Sequence, residues 1–193
     1  MDEKRPEMPS LEALKIELAR EEARCELRKT FLRIAGVLVV SAAIAVLLLT
    51  RIFLLLHVEG MSMEPTVKTG EVVLLRQTKE IENGDLIGFY FEGRVLLKRA
   101  IGSAGDYIDI DQEGNVYVNS KMLEEPYLDR KGLGKCELDF PYQVPEGTIF
   151  VLGDNREVSL DSRIETIGCV KISQIVGKVA CRVWPLARIG MVH

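Results

Sequence analysis

The chain has 193 residues and a formal net charge of −4, which leaves room for one domain with a small appendage and gives no overall basic charge to attract nucleic acid. Its two histidines, His57 and His193, cannot form an H-E-x-x-H zinc helix, and its four cysteines contain no C-x-x-C pair. The composition therefore argues against a nucleic-acid partner and against a metal site.

Residues 1–30 are rich in Glu, Lys, Arg, Ala and Leu, and Pro9 and Ser10 provide a helix start with Ser10 as the N-cap. A short row of leucines recurs at helical spacing, but so brief a stripe is more typical of a solvated or interfacial face. We predict a cytoplasmic helix in this segment and assign it no function.

The dominant feature is an uncharged apolar run from Ile34 to Thr50, which resumes after Arg51 and ends at Leu56. A membrane-spanning helix needs about 20 mostly apolar residues, and this run suffices if Arg51 extends to the headgroups. A cleaved signal peptide is the alternative, but the preceding segment is too long and no small-x-small cleavage site follows. The sequence predicts an uncleaved membrane anchor at 31–56.

Basic residues flank this anchor unequally. Only Arg51 and Lys68 follow the apolar core closely, whereas six precede it: Lys15, Arg20, Arg24, Arg28, Lys29 and Arg33. Because basic residues favour the cytoplasmic side, we predict a single-pass protein of the cell membrane with its N-terminus in the cytoplasm and residues 57–193 outside. The lipid bilayer is then one partner.

After the anchor the pattern changes to short runs with the alternation of β-strands, separated by turn pairs such as Glu92-Gly93. The runs are 71–76, 85–91, 94–101, 106–110, 115–119, 148–153 and 168–184. The sequence predicts a mainly β fold, with an antiparallel β-sheet domain at 57–193 preceded by one transmembrane helix. Residues 120–147 are predicted to form a looser excursion.

Ser62 lies in the segment Gly-Met-Ser-Met-Glu-Pro-Thr-Val, soon after the predicted anchor. Taken alone, this segment is an ordinary turn shaped by Gly60 and Pro65. A nucleophilic serine needs a base, and His57 is the only internal histidine. In an extended chain, five residues span about 16 Å and place the two side chains on opposite faces. A Ser-His-Asp triad is therefore disfavoured, which leaves the serine-lysine variant.

Lys98 interrupts an apolar strand face that it shares with Leu96 and Ala100. Burial can lower the pKa of a lysine from about 10.4 by up to about 5 units, which would make its amine a general base near neutral pH. The alternative is a lysine on a partly exposed strand whose amine reaches water.

A polar constellation fills residues 153–163, directly after an apolar strand. One interpretation is a polar loop in which Asp154 and Asn155 make Asx-type backbone bonds. The functional interpretation adds a hydroxyl that orients the lysine and an ion pair that braces the loop. The residues concerned are Ser159 for the hydroxyl and Asp161 and Arg163 for the ion pair.

Taken together, four segments resemble the motifs of the type I signal peptidases, in the same order. The serine box S-M-x-P-T stands at 62–66, and the box G-D-x-[IV]-x-F stands at 84–89. The lysine box K-R-x-x-G-x-P-G-D stands at 98–106, with Ala104 in place of the proline, and G-D-N-R-x-x-S-x-D-S-R stands at 153–163. The resemblance runs from the anchor nearly to the C-terminus.

This resemblance implies a dyad of Ser62 as nucleophile and Lys98 as general base, with Ser159 orienting the lysine. It also implies support of the site by Asp154, Asn155, Asp161 and Arg163, and substrate contacts by Gly60 and Met63. Some members of this family have a serine two residues before the nucleophile, and its side chain donates to the oxyanion. This chain has Gly60 at that position, so the oxyanion hole would rely mainly on the Ser62 N–H.

The implied substrates are exported preproteins, bound as an extended strand and cut after Ala-x-Ala type sites without a metal or cofactor. The Sec translocation machinery is a candidate partner. Two alternatives stay open: a more specialised Ser-Lys protease that matures a pilin-like protein or cleaves itself, and a membrane-anchored β module that binds extended peptides without hydrolysis. An extracytoplasmic location would permit a disulfide between Cys169 and Cys181, but we favour free thiols.

Overall fold

The computed structural model describes residues 11–192, without the side chains of Ala13 and Leu14. The chain divides into two compact units, Met1–Leu49 and Thr50–His193. The predicted N-cap at Ser10 lies outside the described residues.

One continuous helix, α1, covers Leu11–Ile52. It joins the predicted N-terminal helix to the apolar run, because no proline interrupts the segment. At 1.5 Å per residue the helix is about 63 Å long, roughly twice the hydrocarbon thickness of a bilayer. Within Lys15–Ile52 its most apolar window has a mean hydropathy of 2.6 and no buried residue. By length and composition this helix is a candidate membrane span.

The helix ends before the predicted end of the anchor. Residues Phe53–His57 form strand β1, which pairs along its whole length with β2, Val72–Arg76. The prediction of a helical anchor through Leu56 is therefore wrong for its last residues. The periodicity of a short apolar run cannot distinguish a helix from a strand. Residues 53–57 are a strand because they pair with β2.

The second unit consists of antiparallel strands, which confirms the predicted mainly β fold. The further strands are β3 Leu86–Phe91, β4 Arg94–Ser103, β5 Tyr107–Ile110, β6 Val116–Val118, β7 Lys121–Met122, β8 Tyr142–Gln143, β9 Thr148–Leu152, β10 Val170–Lys171 and β11 Ile175–Trp184. Single 3₁₀ turns lie at Ile172–Gln174, between β10 and β11, and at Leu186–Arg188. The predicted excursion at 120–147 carries only the two-residue strands β7 and β8.

The strands form two sheets. The larger has seven strands in the order β1-β2-β11-β3-β4-β9-β10, and the smaller has four in the order β7-β6-β5-β8. β4 pairs with β3 over Arg94–Arg99 but with β9 only over Arg99–Ser103. Within the described residues, the first half of β4 therefore has one open edge, and β1 is open along its outer edge.

Buried apolar side chains fix the two segments that carry the site. Met63 and Val67 anchor the loop after β1, and Leu97 anchors β4, all in one cluster with Val73 and Leu75. Burying a side chain of this size contributes about 1.5–3 kcal/mol. The backbone on either side of Ser62 and Lys98 is therefore held by the core.

Candidate active site

Ser62 lies on a loop of residues 58–71 between β1 and β2, hereafter the serine loop. The loop is closed at its base by hydrogen bonds from the Val58 N–H to the Glu71 carbonyl and from the Gly70 N–H to the Val58 carbonyl, each 2.9 Å. Ser62 itself is half-buried, whereas the next side chain, Met63, is buried in the core. The loop thus presents the serine hydroxyl from a fixed backbone.

Lys98 lies on β4 and is 3% exposed. Its Nζ is 2.7 Å from Ser62 Oγ, a hydrogen-bond distance. Burial is the main cause that lowers the pKa of Lys98, from 10.5 to about 8; the Asp161 charge opposes this shift, the Arg163 charge adds to it, and the Asp154 charge opposes it. The serine hydroxyl therefore faces an amine that loses its proton far more readily than an ordinary lysine.

His57 lies at the end of β1 and is exposed. It lines a small cavity together with Ser62 and Lys98, but among the described residues the side-chain hydrogen bond of Ser62 is to Lys98. The arrangement is therefore of the serine-lysine type.

The loop 153–163 packs directly against the serine loop. The Asn155 N–H donates to the Ser62 carbonyl at 3.0 Å. A Cβ at Gly153 would lie 2.1 Å from Ser159 Oγ and 2.6 Å from the Ser62 carbonyl oxygen, so only glycine fits there. This close approach explains why a glycine starts the motif.

Ser159 Oγ is buried and has no hydrogen-bond partner within the described residues. The sequence predicts that this hydroxyl orients Lys98, yet the structure shows no hydrogen bond between the two side chains. Buried polar atoms rarely remain unpaired. The role of Ser159 stays a prediction.

Asp161 and Arg163 form an ion pair with both side chains at most 1% exposed. Arg163 donates from Nε and Nη2 to the two carboxylate oxygens at 2.8 Å each. Asp161 Oδ2 also accepts from the Gly153 N–H at 2.9 Å. The pair therefore closes the loop on itself and lies within electrostatic reach of Lys98.

Arg99 is a site residue that the sequence analysis missed. It donates from Nε and Nη2 to Asp154 at 2.9 and 2.6 Å, while Thr66 Oγ1 donates to the same carboxylate at 2.5 Å. These contacts join β4, the serine loop and the loop 153–163. A signal was present, since Arg99 is the arginine of the lysine box.

Two further missed residues lie in the predicted excursion. The ring of Tyr127 stacks 3.7 Å from the Arg99 guanidinium, and its hydroxyl donates to Glu125 at 2.8 Å. Glu125 also forms a buried ion pair with Arg156. No motif in the sequence indicates these contacts, because they depend on where a long irregular segment returns to the sheet.

Two cavities share the dyad and divide the predicted substrate contacts between them. The smaller has a volume of about 50 Å³ and lies between residues 56–59 and 95–98, with Met63 in its wall. The larger has a volume of about 650 Å³ and is lined by Gly60, Met61 and Leu160 among others. Gly60 thus lines the larger cavity and Met63 the smaller one, and Ser62 lines both.

The backbone of the serine loop offers a donor for an oxyanion. Within the part of the chain that the structure describes, the Ser62 N–H has no hydrogen-bond acceptor. Gly60 contributes no side-chain donor. A serine, a buried amine within hydrogen-bond distance and an available backbone N–H together form the arrangement that serine hydrolases of the Ser-Lys type use.

Comparisons with known proteins agree with this class. The family described as signal peptidase, peptidase S26, matches residues 31–184. Signal peptidase I of Bacillus caldolyticus is 40% identical over 161 residues, covering 74% of this chain and 87% of the relative. Signal peptidase IB of Staphylococcus aureus strain Mu50 is 37% identical over 150 residues, covering 67% and 77%. A crystal structure of a signal peptidase I from Enterococcus faecalis V583 is 30% identical and covers 51% of this chain and 96% of that chain, with a TM-score of 0.45.

The chain belongs to the signal peptidase family, peptidase S26. The predictions of this family and of an enzyme of the serine peptidase class are thereby confirmed. Members of the family remove signal peptides from preproteins and are anchored in membranes.

All four cysteines, including Cys169 and Cys181, are free thiols in the structure.

Proposed function

We propose that this protein is a signal peptidase I that removes N-terminal signal peptides from exported preproteins, with Ser62 as nucleophile and Lys98 as general base. The observation that carries the proposal is the 2.7 Å contact between Lys98 Nζ and Ser62 Oγ, made by an amine whose burial lowers its pKa to about 8. A base with a pKa near the working pH is the efficient choice for proton transfer.

Acylation begins when neutral Lys98 accepts the Ser62 proton as Ser62 Oγ attacks the scissile carbonyl. The C–O bond forms, the carbonyl oxygen becomes negative, and the Ser62 N–H stabilises it. Lys98 then returns the proton to the leaving amine as the peptide bond breaks. The mature protein departs and the signal peptide remains as an ester on Ser62.

Deacylation uses the same base. Lys98 accepts a proton from water, the hydroxide attacks the ester, and Ser62 recovers its proton as the signal peptide leaves. We assign Ser159 the task of orienting the Lys98 amine, because its buried hydroxyl lacks another partner and a polar atom there calls for one. Asp154, Asn155, Asp161 and Arg163 hold the loop that places this hydroxyl.

The small cavity suits the predicted cleavage after small residues. Its volume of about 50 Å³ leaves room for an alanine-sized side chain between the end of β1 and the first half of β4. Both of these segments have open edges, so an extended signal peptide can pair with them in the manner of an added strand. Alanine at the first and third positions before the scissile bond follows from this alternation.

The predicted topology completes the proposal. Helix α1 spans the membrane once with its basic N-terminal part in the cytoplasm, so Ser62 acts outside, close to the lipid bilayer. The Sec translocation machinery would deliver the preproteins there. This topology can be tested by treating right-side-out vesicles with a protease. Residues 1–30 should be protected, whereas the peptidase unit should be digested.

The function is tested on the full chain in detergent micelles with a preprotein that carries an Ala-x-Ala site. Wild type should cut after the second alanine, whereas Ser62→Ala and Lys98→Ala should lose at least about a thousandfold in kcat/KM. Lys68→Ala is the matched control, because Lys68 lies on the same loop and is exposed. Cleavage by both dyad variants at the wild-type rate would disprove the mechanism, and binding of the preprotein without hydrolysis by wild type would support the peptide-binding alternative.

A further inference from the structure

A second ion-pair cluster, in which Glu71 and Arg182 are buried and Arg188 is exposed, joins the serine loop to the C-terminal part of the chain. Glu71, the last residue of the serine loop, is 4% exposed. Its Oε2 is 2.5 Å from Arg182 Nη1 and its Oε1 is 2.5 Å from Arg188 Nη1. None of the three residues belongs to a motif box, and the mechanism described above does not use them.

Hydrogen bonds extend this cluster to the backbone of the serine loop. Glu71 Oε2 accepts from the Lys68 N–H at 3.1 Å, and Arg182 Nη1 donates to the Thr66 carbonyl at 3.4 Å. The Thr66 hydroxyl donates at the same time to Asp154. Thr66 lies a few residues beyond Ser62. The Arg99–Asp154 pair thus holds its side chain, and the cluster of Glu71, Arg182 and Arg188 holds its backbone.

The C-terminal side of the cluster is itself fixed. Arg182 lies on β11 and its Nε donates to the Arg188 carbonyl at 3.0 Å. Its N–H donates to the Gly190 carbonyl at 2.8 Å, and the Gly190 N–H donates back at 3.3 Å. Residues 182–190 therefore form a closed turn that presents two guanidinium groups to one carboxylate.

We propose that Glu71, Arg182 and Arg188 are positioning residues that hold the serine loop in the register in which Ser62 Oγ meets Lys98 Nζ. The inference rests on the proposed function of the dyad. The three side chains line neither cavity at the dyad and are not among the charges that act on Lys98, so their loss acts on the nucleophile through the loop backbone. Small displacements of a reacting group cost up to about a hundredfold in rate.

The test compares Arg182→Met, Arg188→Met and Arg182→Lys in the full chain, with the preprotein substrate in detergent micelles. We expect kcat to fall up to about a hundredfold in Arg182→Met and about tenfold in Arg188→Met, whose side chain is 40% exposed. KM should change much less than kcat, because none of the three side chains lines a substrate cavity, and the midpoint of the pH-rate profile should stay near the wild-type value. Arg182→Lys should recover part of kcat, because a lysine can still pair with Glu71 but has no guanidinium fork for the other contacts.

Lys178→Met is the matched control, because Lys178 also lies on β11 and forms an ion pair. Its partner is Asp85, whose Oδ2 is 3.0 Å from Lys178 Nζ and which does not belong to the serine loop. Thermal unfolding of each variant gives the folded fraction by which kcat is normalised. Loss of stability with an unchanged kcat per folded molecule overturns the proposal, and so does a shift of KM or of the pH midpoint at constant kcat. If Arg182→Met does not fold, Arg188→Met decides by the same criteria. Absence of cleavage by wild type would instead defeat the proposed function itself.

Discussion

The ion pairs on the surface of helix α1 differ from those beneath the candidate active site. On the helix, Arg24 and Glu21 lie 3.5 Å apart with side chains 77% and 71% exposed. Beneath the site, Arg99 and Asp154 lie 2.6 Å apart with side chains 3% and 1% exposed. The first pair joins neighbours one helical turn apart, whereas the second joins segments that are distant in sequence.

The difference shows what burial adds to an ion pair. An exposed pair is screened by water and contributes about 0–1 kcal/mol. A buried pair has a large desolvation cost, which is offset only when the two charged groups make close and multiple contacts. The positions of the two side chains are therefore narrowly constrained. The buried pair Arg99–Asp154 therefore fixes geometry where the serine loop meets β4 and the loop 153–163, and the pair Asp161–Arg163 fixes geometry within that loop.

Breaking the buried pair should have the largest effect. Asp154→Asn removes the charge that Arg99 faces and leaves a guanidinium buried without a counter-charge. We expect a loss of about 3–5 kcal/mol in the free energy of unfolding, measured by urea unfolding of the full chain in detergent micelles. If the free energy of unfolding fell by less than about 1 kcal/mol, the Arg99–Asp154 pair would contribute no more than the exposed Arg24–Glu21 pair, and the prediction would be wrong. The Thr66 hydroxyl then faces a neutral amide and its hydrogen bond is weaker, which should also lower kcat of the molecules that remain folded.

Burial and, to a smaller extent, the neighbouring charges set the pKa of Lys98, which gives a prediction of intermediate size. With a pKa of about 8 for Lys98, roughly a tenth of the amine is neutral at pH 7 and roughly nine-tenths at pH 9. Because only the neutral amine accepts the Ser62 proton, kcat/KM should rise roughly tenfold over this range, with its midpoint near 8. The pH-rate profile of wild type measures this. A flat profile, or one that falls with pH, would contradict the assignment of Lys98 as the base.

The same shift has a consequence for stability, with a defined sign. The pKa of Lys98 is lower in the folded protein than the ordinary 10.5, so the unfolded chain binds more protons between about pH 8 and pH 10.5. Neutral Lys98 therefore stabilises the fold increasingly as pH rises through this window, relative to its effect below about pH 8. Urea unfolding near pH 7 and near pH 10 should show wild type gaining stability with pH relative to Lys98→Met.

Local pattern accounts for most of what the sequence predicts correctly. The alternation at 94–101 predicts β4 and places Lys98 on a face with Leu96 and Ala100, because side-chain direction in a strand depends only on position. The motif at 153–163 predicts an ion pair between Asp161 and Arg163, which are close in sequence. Both inferences need only neighbouring residues.

Long-range contacts account for what it misses. The end of helix α1 depends on the pairing of Phe53–His57 with β2, which the leucine-rich run does not encode by itself. The stacking of Tyr127 on Arg99 and the pairing of Glu71 with Arg182 join residues far apart in the chain. Only the folded sheet brings them together, so no single window of sequence contains the signal.

The smallest effect is expected on helix α1. Glu21→Gln removes the exposed partner of Arg24 while a good helix former remains at the position. We expect a change of at most about 0.5 kcal/mol in the free energy of unfolding and no change in kcat/KM, measured beside Asp154→Asn in the same detergent and salt. Raising the salt concentration should reduce even this change, since exposed charges are screened. A loss comparable to that of Asp154→Asn would mean that Glu21 has a partner of its own, and the distinction between exposed and buried pairs would then fail for this helix.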